Sequence, residues 1–235
     1  MSEQFYITTP IYYVNDIPHI GHAYTTILAD VLNRYQKQVG NDSFFLTGLD
    51  EHGQKVQDAA KLRGIDPIDH CNEMTKRFTS LWDKLHISNN DFIRTTEKRH
   101  KKVVREILNI VNDAGDIYID EYEGLYSISE ERFITEKEAE NGQFRDIKKL
   151  KEKNYFFKMS KYQNALINHI NTNPEFIQPE HRKNEILGFL QQPLNDLCIS
   201  RPKSRLNWGI DLPFDKDYVT YVWFDALINY ITAAG

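Results

Sequence analysis

Cysteine is nearly missing: the 235 residues hold 2, Cys71 and Cys198, far apart and outside any C-x-x-C pair. That excludes a disulfide framework and a thiolate metal cage, and it suits a reducing cytoplasm. Proline (8) and glycine (11) are too scarce for a low-complexity polymer, and no apolar run reaches the length of a bilayer span. The start, Met1-Ser2-Glu3-Gln4, lacks the cationic region of a secretory signal. Positive charge is not in excess either. With 29 Lys and Arg against 34 Asp and Glu the net charge is −5, so nucleic acid is not held by bulk charge and any polyanion contact must be local. What is present is a globular mixture, 40% hydrophobic and 27% charged, long enough for one large core or two modest ones.

The order of elements predicts an α/β fold. Residues 5–9 are rich in β-formers and stop at Pro10, and an aromatic loop follows through Asn15, Asp16 and Pro18. Ala23, Ile27, Val31 and Tyr35 recur four apart and predict a helix with one buried stripe, ended by Gly40. A short strand at 44–46, helices at 54–63 and 68–85 (Asp66 as N-cap, Pro67 opening), a strand at 91–94 and a helix at 97–114 complete residues 1–115. Strand and helix alternate, as in a parallel sheet with crossover helices, a class of fold that binds nucleotides. Over 116–214 the pattern breaks into short β-like pieces (125–128, 155–157) and helical stretches (162–171, 181–191), which read as a separate insert. A strand at 219–223 and a helix from Asp225 show the core resuming over 215–235.

The chemistry concentrates at His19-Ile20-Gly21-His22, where the first loop enters the first long helix. Helix amides and the positive end of the dipole lie there, and glycine permits a phosphate to approach the backbone. Two imidazoles three residues apart share a helix face and can both donate to oxygens gathering charge at phosphorus. Spacing alone also fits a helix start with two surface histidines, or half of a metal site.

Residues 10–22, read with Phe45-Leu46-Thr47-Gly48-Leu49-Asp50-Glu51-His52-Gly53, Ile199-Ser200-Arg201-Pro202, Trp208-Gly209-Ile210 and Tyr221-Val222-Trp223-Phe224-Asp225-Ala226, resemble the methionyl-tRNA synthetase family of class I aminoacyl-tRNA synthetases. The segments occur in the family's order and span nearly the whole chain. The resemblance implies a Rossmann-like parallel sheet interrupted by an α+β connective insertion. It also implies an ATP-dependent ligase that makes methionyl-adenylate and pyrophosphate, then passes the methionyl group to tRNA. The substrate carboxylate is the nucleophile, so the protein positions groups and stabilises charge. By the same resemblance His19 and His22 act on the phosphates, with Gly21 and Asn15 also at ATP, and Mg²⁺ arrives with the nucleotide. Asp50 takes the α-amino group, and Ile11, Tyr13, Trp223, Ala226, Leu227 and Tyr230 wall the thioether. Without the resemblance Asp50 reads as a loop cap and the aromatics as core.

Three features depart from the family pattern. Lys158-Met159-Ser160-Lys161 looks like the second class I signature, but it precedes Trp223 and is followed by Tyr162, so a structural role is expected, with Ser160 as a helix N-cap. The resemblance therefore implies a fragment that stops before the true second loop and the anticodon-binding domain, and that activates methionine poorly or not at all. Ser127 and Glu130 stand where family zinc ligands are cysteines, so no structural zinc is expected. The basic clusters at 98–102 and 148–153 read as a solvated helix face or loop, with tRNA phosphates as the alternative. The rivals are a class I synthetase for another apolar amino acid, a metal hydrolase using His19, His22 and His52, and a noncatalytic tRNA-binding module.

Overall fold

The computed structural model describes residues 2–127, 132–134, 136–140 and 146–235. They form two compact units, residues 1–109 with 201–235, and residues 110–200. The divisions fall after residues 109 and 200, where the sequence pattern placed the insert at 116–214.

The first unit opens with strand β1 (Gln4–Thr8), strand β2 (Tyr12–Tyr13) and helix α1 (Ile20–Gln38). Strand β3 (Asp42–Asp50), helices α2 (Gln54–Leu62) and α3 (Pro67–Lys84), strand β4 (Asp91–Arg94) and helix α4 (Lys98–Asp113) follow. These four strands pair in parallel: β1 lies along Asp42–Leu46 of β3, β2 along Leu49–Asp50, and β4 along Leu46–Leu49. Thus β3 is central and runs longer than the 44–46 expected, because its second half is buried by partners distant in sequence. Gly48 is obligatory there, since a Cβ would sit 2.1 Å from the Ile93 carbonyl oxygen of β4. Tyr12, Val14, Leu49, Val56, Cys71, Met74, Phe78 and Trp82 form the core under this sheet. Burying each large apolar side chain there contributes about 1.5–3 kcal/mol.

Helix α1 ends as expected: Gly40 follows it at φ 90°, and the Asn41 amide reaches back to the Gln36 carbonyl. Its buried face is not the expected one. Ile27, Val31 and Tyr35 are 41%, 55% and 58% exposed, whereas Thr26, Ala29, Asp30 and Asn33 face inward. Directional bonds outrank apolar pattern here. Ser43 Oγ donates to Asn33 Oδ1 at 2.8 Å, Ser88 N and Oγ donate to Asp30 Oδ1 at 2.7 and 2.6 Å, and Thr26 Oγ1 lies 2.8 Å from the Tyr12 hydroxyl.

The second unit contains strand β5 (Ile117–Ser127), strand β6 (Arg132–Ile134), helix α5 (Glu136–Glu140) and strand β7 (Ile147–Phe157). Helices α6 (Gln163–Thr172) and α7 (Glu180–Phe189) and strand β8 (Leu197–Cys198) complete it. The sheet order is β6-β5-β7-β8, antiparallel throughout. Instead of short pieces, β5 and β7 pair over eleven residues each. The basic cluster 148–153 therefore lies on a strand, neither helix nor loop, and Lys149 and Lys151 bridge to Glu123 and Glu121 at 2.9 and 3.1 Å. Glu130, one of the two positions that stand where family zinc ligands are cysteines, lies outside the described residues.

The side chains of the second-signature lookalike have partners within the same unit. Lys158 Nζ donates to the Gly115 carbonyl at 2.7 Å, and Lys161 Nζ lies 2.6 Å from Asp116 Oδ1, which Tyr162 also engages. Ser160 is not the N-cap expected: it sits inside a 3₁₀ turn (Met159–Tyr162) and donates through Oγ and N to Asp196 Oδ1 at 2.6 and 3.1 Å.

The chain returns to the first unit through strand β9 (Ser200–Pro202), which pairs with strand β10 (Tyr218–Thr220). Helices α8 (Val222–Leu227) and α9 (Asn229–Ala234) follow. Trp223 is therefore on a helix and not on the strand expected at 219–223. Val222 and Asp225, three apart, both face inward, which a helix permits and a two-residue period forbids.

Candidate active site

The candidate residues gather where the parallel strands end, the side of such sheets where ligands bind. Tyr12 pairs with Leu49 and Tyr13 with Asp50, so Tyr13 and Asp50 are adjacent on neighbouring strands. Asp50 is 4% exposed. The Lys55 ammonium lies 5.6 Å from the centre of the Tyr13 ring. Tyr230 belongs to the same neighbourhood. Burial raises its hydroxyl above the ordinary value, hydrogen bonds to Asn229 and to the Ile11 backbone oppose this, and the Asp50 charge adds to the rise. The fold thus brings Ile11, Tyr13, Asp50 and Tyr230 together. Trp223, Ala226 and Leu227 lie on α8, and Tyr230 follows on α9. Trp223 is 53% exposed and Leu227 62%.

At the start of α1 the two histidines build the cap themselves. His19 is the N-cap, its Nδ1 accepts from the Gly21 amide at 3.1 Å, and the His19 amide donates to His22 Nδ1 at 3.2 Å. The rings stack with centroids 3.8 Å apart. Each Nδ1 is an acceptor in this cap, so each neutral ring carries its proton on Nε2, turned away from the backbone and ready to donate. Burial first, then the neighbouring His19, holds His22 below the ordinary imidazole value and so keeps it neutral. Gly21 serves differently from expectation: its amide is spent on His19, and a Cβ there would lie 3.0 Å from His19 Cε1. The glycine makes room for the imidazole, and that imidazole is what presents a donor. Asn15 is exposed in the preceding loop.

Strand β2 joins the two halves. The Tyr12 ring lies 4.7 Å from the His22 ring, while its chain neighbour Tyr13 lies beside Asp50. His52 does not join His19 and His22, as the metal-hydrolase alternative requires; it is buried and its Nδ1 lies 3.2 Å from Asp225 Oδ2. Among the described residues no group of three or more His, Cys, Asp or Glu side chains is placed to hold a metal ion. No described helix is long and apolar enough to cross a membrane. Of the basic cluster at 98–102, His100 is buried and Arg99 is held by Asp91 at 2.6 Å, so only part of it is a solvated face.

Sequence reasoning missed the polar groups behind the site. Glu51, wholly buried, accepts from Arg94 Nε at 2.7 Å and from Thr75 Oγ1 at 3.1 Å. Asp225 lies between His52 and His100. The one available signal was three ionisable residues in a row, Asp50-Glu51-His52, at the end of an apolar strand.

A profile of the family described as tRNA synthetases class I (M) matches residues 5–148 and 144–235. The methionine–tRNA ligase of Fusobacterium nucleatum is 54% identical over 241 residues, covering 100% of this chain and 37% of the relative. That of Deinococcus radiodurans is 49% identical, covering 98% and 35%. The chain thus spans little more than a third of the length of these relatives. Among solved structures, Mycobacterium tuberculosis methionyl-tRNA synthetase in complex with methionyl-adenylate matches with a TM-score of 0.93 at 40% identity, over 99% of this chain and 47% of that one. A sheet with its candidate residues at the carboxyl edge, a histidine-built cap and matches of this extent have one common reading: the chain belongs to the class I tRNA synthetase family designated M.

Proposed function

We propose that this chain supplies the methionine- and ATP-handling part of a methionine–tRNA ligase, whose second substrate after activation is tRNA. The carrying observation is the placement of the His19–His22 cap and the Tyr13–Asp50 pair on either side of β2. In the reaction a methionine carboxylate oxygen bonds to the α-phosphorus of ATP, the bond to the bridging oxygen breaks, and pyrophosphate leaves. No protein nucleophile is required. Asp50, nearly dry, is suited to the substrate ammonium. Ile11, Tyr13, Trp223, Ala226, Leu227 and Tyr230 form the wall for a neutral, polarizable thioether. His19 and His22 donate from Nε2 to phosphate oxygens, with Gly21 making the cap possible and Asn15 nearby in the loop. Mg²⁺ enters with ATP as part of the substrate, and no structural zinc takes part. The site works in the cytoplasm, in keeping with two free cysteines. The domain reading that accompanies it is a catalytic core interrupted by a connective insertion.

Calorimetric titration with methionine, leucine and valine tests this. Methionine should bind selectively, and Asp50→Asn should abolish it. Equal binding of leucine would instead favour a synthetase for another apolar amino acid, and tight tRNA binding with no affinity for methionine or ATP would favour a noncatalytic module.

A further inference from the structure

Behind the proposed methionine wall lies a buried clasp. Asp225 is 0% exposed, with His52 Nδ1 3.2 Å from its Oδ2 and His100 Nε2 3.9 Å from its Oδ1. His52 packs against the Trp208 ring at 5.6 Å, and His100 Nδ1 lies 3.4 Å from Thr232 Oγ1. A carboxylate cut off from water is costly unless it is paired. Burial pushes the Asp225 carboxyl up, but the two imidazoles more than offset it and hold the group below the ordinary carboxylate range.

The three members come from different places. His52 is two residues beyond Asp50, in the turn closed by Gly53 at φ 99°. His100 is in the first turn of α4, and Asp225 is on α8. Helix α8 has six residues, too few to hold its own shape without tertiary anchoring. Its inward side chains are Val222 and Asp225, while Trp223 and Leu227 are exposed on another face and Ala226 lies between the two. Val222 contributes apolar burial, which has no direction; the carboxylate faces the two rings at ion-pair distance without a formed hydrogen bond, and that attraction favours one rotation of the helix.

We infer that Asp225, held between His52 and His100, is a positioning residue that sets the α8 wall of the thioether pocket against the Asp50 end of β3. This rests on the methionine-binding reading above and assigns the clasp no contact with substrate. A test compares the unaltered chain with His100→Gln and Asp225→Asn, measuring methionine and ATP affinities by calorimetry and the Trp223 indole N–H resonance by NMR. In His100→Gln, methionine binding should weaken about tenfold while ATP binding changes less than about twofold, and the Trp223 resonance should shift without ligand. Asp225→Asn should do the same more strongly. Equal losses of methionine and ATP affinity would show general loosening and overturn the inference, as would a folded His100→Gln that binds methionine normally. If the unaltered chain binds no methionine, the methionine-binding reading falls. The clasp is then judged by the Trp223 resonance, and an unmoved resonance in a folded variant overturns it. Should Asp225→Asn fail to fold, His100→Gln decides.

Discussion

Arg94→Met isolates the price of a buried carboxylate at the end of the central strand. Glu51 is 0% exposed, and its cation is Arg94, whose Nε lies 2.7 Å from Oε1 and whose side chain is 21% exposed. The Glu51 backbone is pinned as well: its amide donates to Thr95 Oγ1 at 3.0 Å, and its carbonyl accepts from the Trp208 indole. Removing one partner of a buried pair generally costs about 3–5 kcal/mol, since the remaining charge is left without compensation. Two features move this case to the lower end. Thr75 and Thr96 hydroxyls still donate to the carboxylate, and partial exposure of Arg94 lets water replace some of its field. About 3 kcal/mol is therefore expected. With a urea slope of about 2 kcal/mol/M the midpoint should fall by about 1.5 M, read from tryptophan fluorescence because Trp82 and Trp208 lie in the same unit. Arg94 also donates to Asn72 Oδ1 at 2.8 Å, so Asn72→Ala serves as the control for that bond. The double variant Glu51→Gln with Arg94→Met should regain most of the loss, because the stranded charge is gone. A single-variant loss below about 0.5 kcal/mol, or a double variant no better than the single, would refute the account.

Gly21→Ala should displace the His19 ring and weaken ATP about tenfold with methionine affinity nearly unchanged, because a Cβ meets His19 Cε1 at 3.0 Å; paired titrations check it. Lys158→Ala should leave methionine-dependent exchange intact in a protein of the relatives' full length, since its ammonium is spent on the Gly115 carbonyl; loss of adenylate formation would return that segment to the ATP site. The lowered His22 value has a definite sign: the unfolded chain binds the proton more readily, so the stability this ring contributes is full above pH 6.5 and is lost as pH falls below it. Urea midpoints measured across that range should decline toward acid, and His22→Gln should flatten the decline.

Local rules recovered what local residues decide. The alternation of strand and helix, the start of α1 near His19 and the stop at Gly40 were legible because each is set within a few residues, as the positive φ at Gly40 is; that the histidines themselves form the cap was not. The length of β3 was not legible, because its second half is made by pairing with β2 and β4. The β5–β7 pairing was hidden by its composition. Lys and Glu on exposed strand faces read as loop until the cross-strand partner is known. Placing Trp223 on a strand followed from its β-forming neighbours, and the tertiary anchor at Asp225 overrode that propensity.

The inverted face of α1 and the Asp225 clasp have the same cause. Apolar periodicity ranks a helix's faces by transfer free energy, and a face carrying Thr26, Asp30 and Asn33 ranks last. Yet those groups each meet a partner at hydrogen-bond distance, and once paired their burial costs little and fixes the helix in one register. An apolar face can slide against a sheet, whereas a set of paired polar groups fits at one position only. The cap that carries His19 and His22 sits at the start of this helix, so the polar seam along α1 holds the element on which the two rings stand, the part the inference above gives Asp225 on α8. Partners such as Ser43 and Ser88, or His52 and His100, lie many residues from the groups they hold, which is why no window along the sequence revealed them.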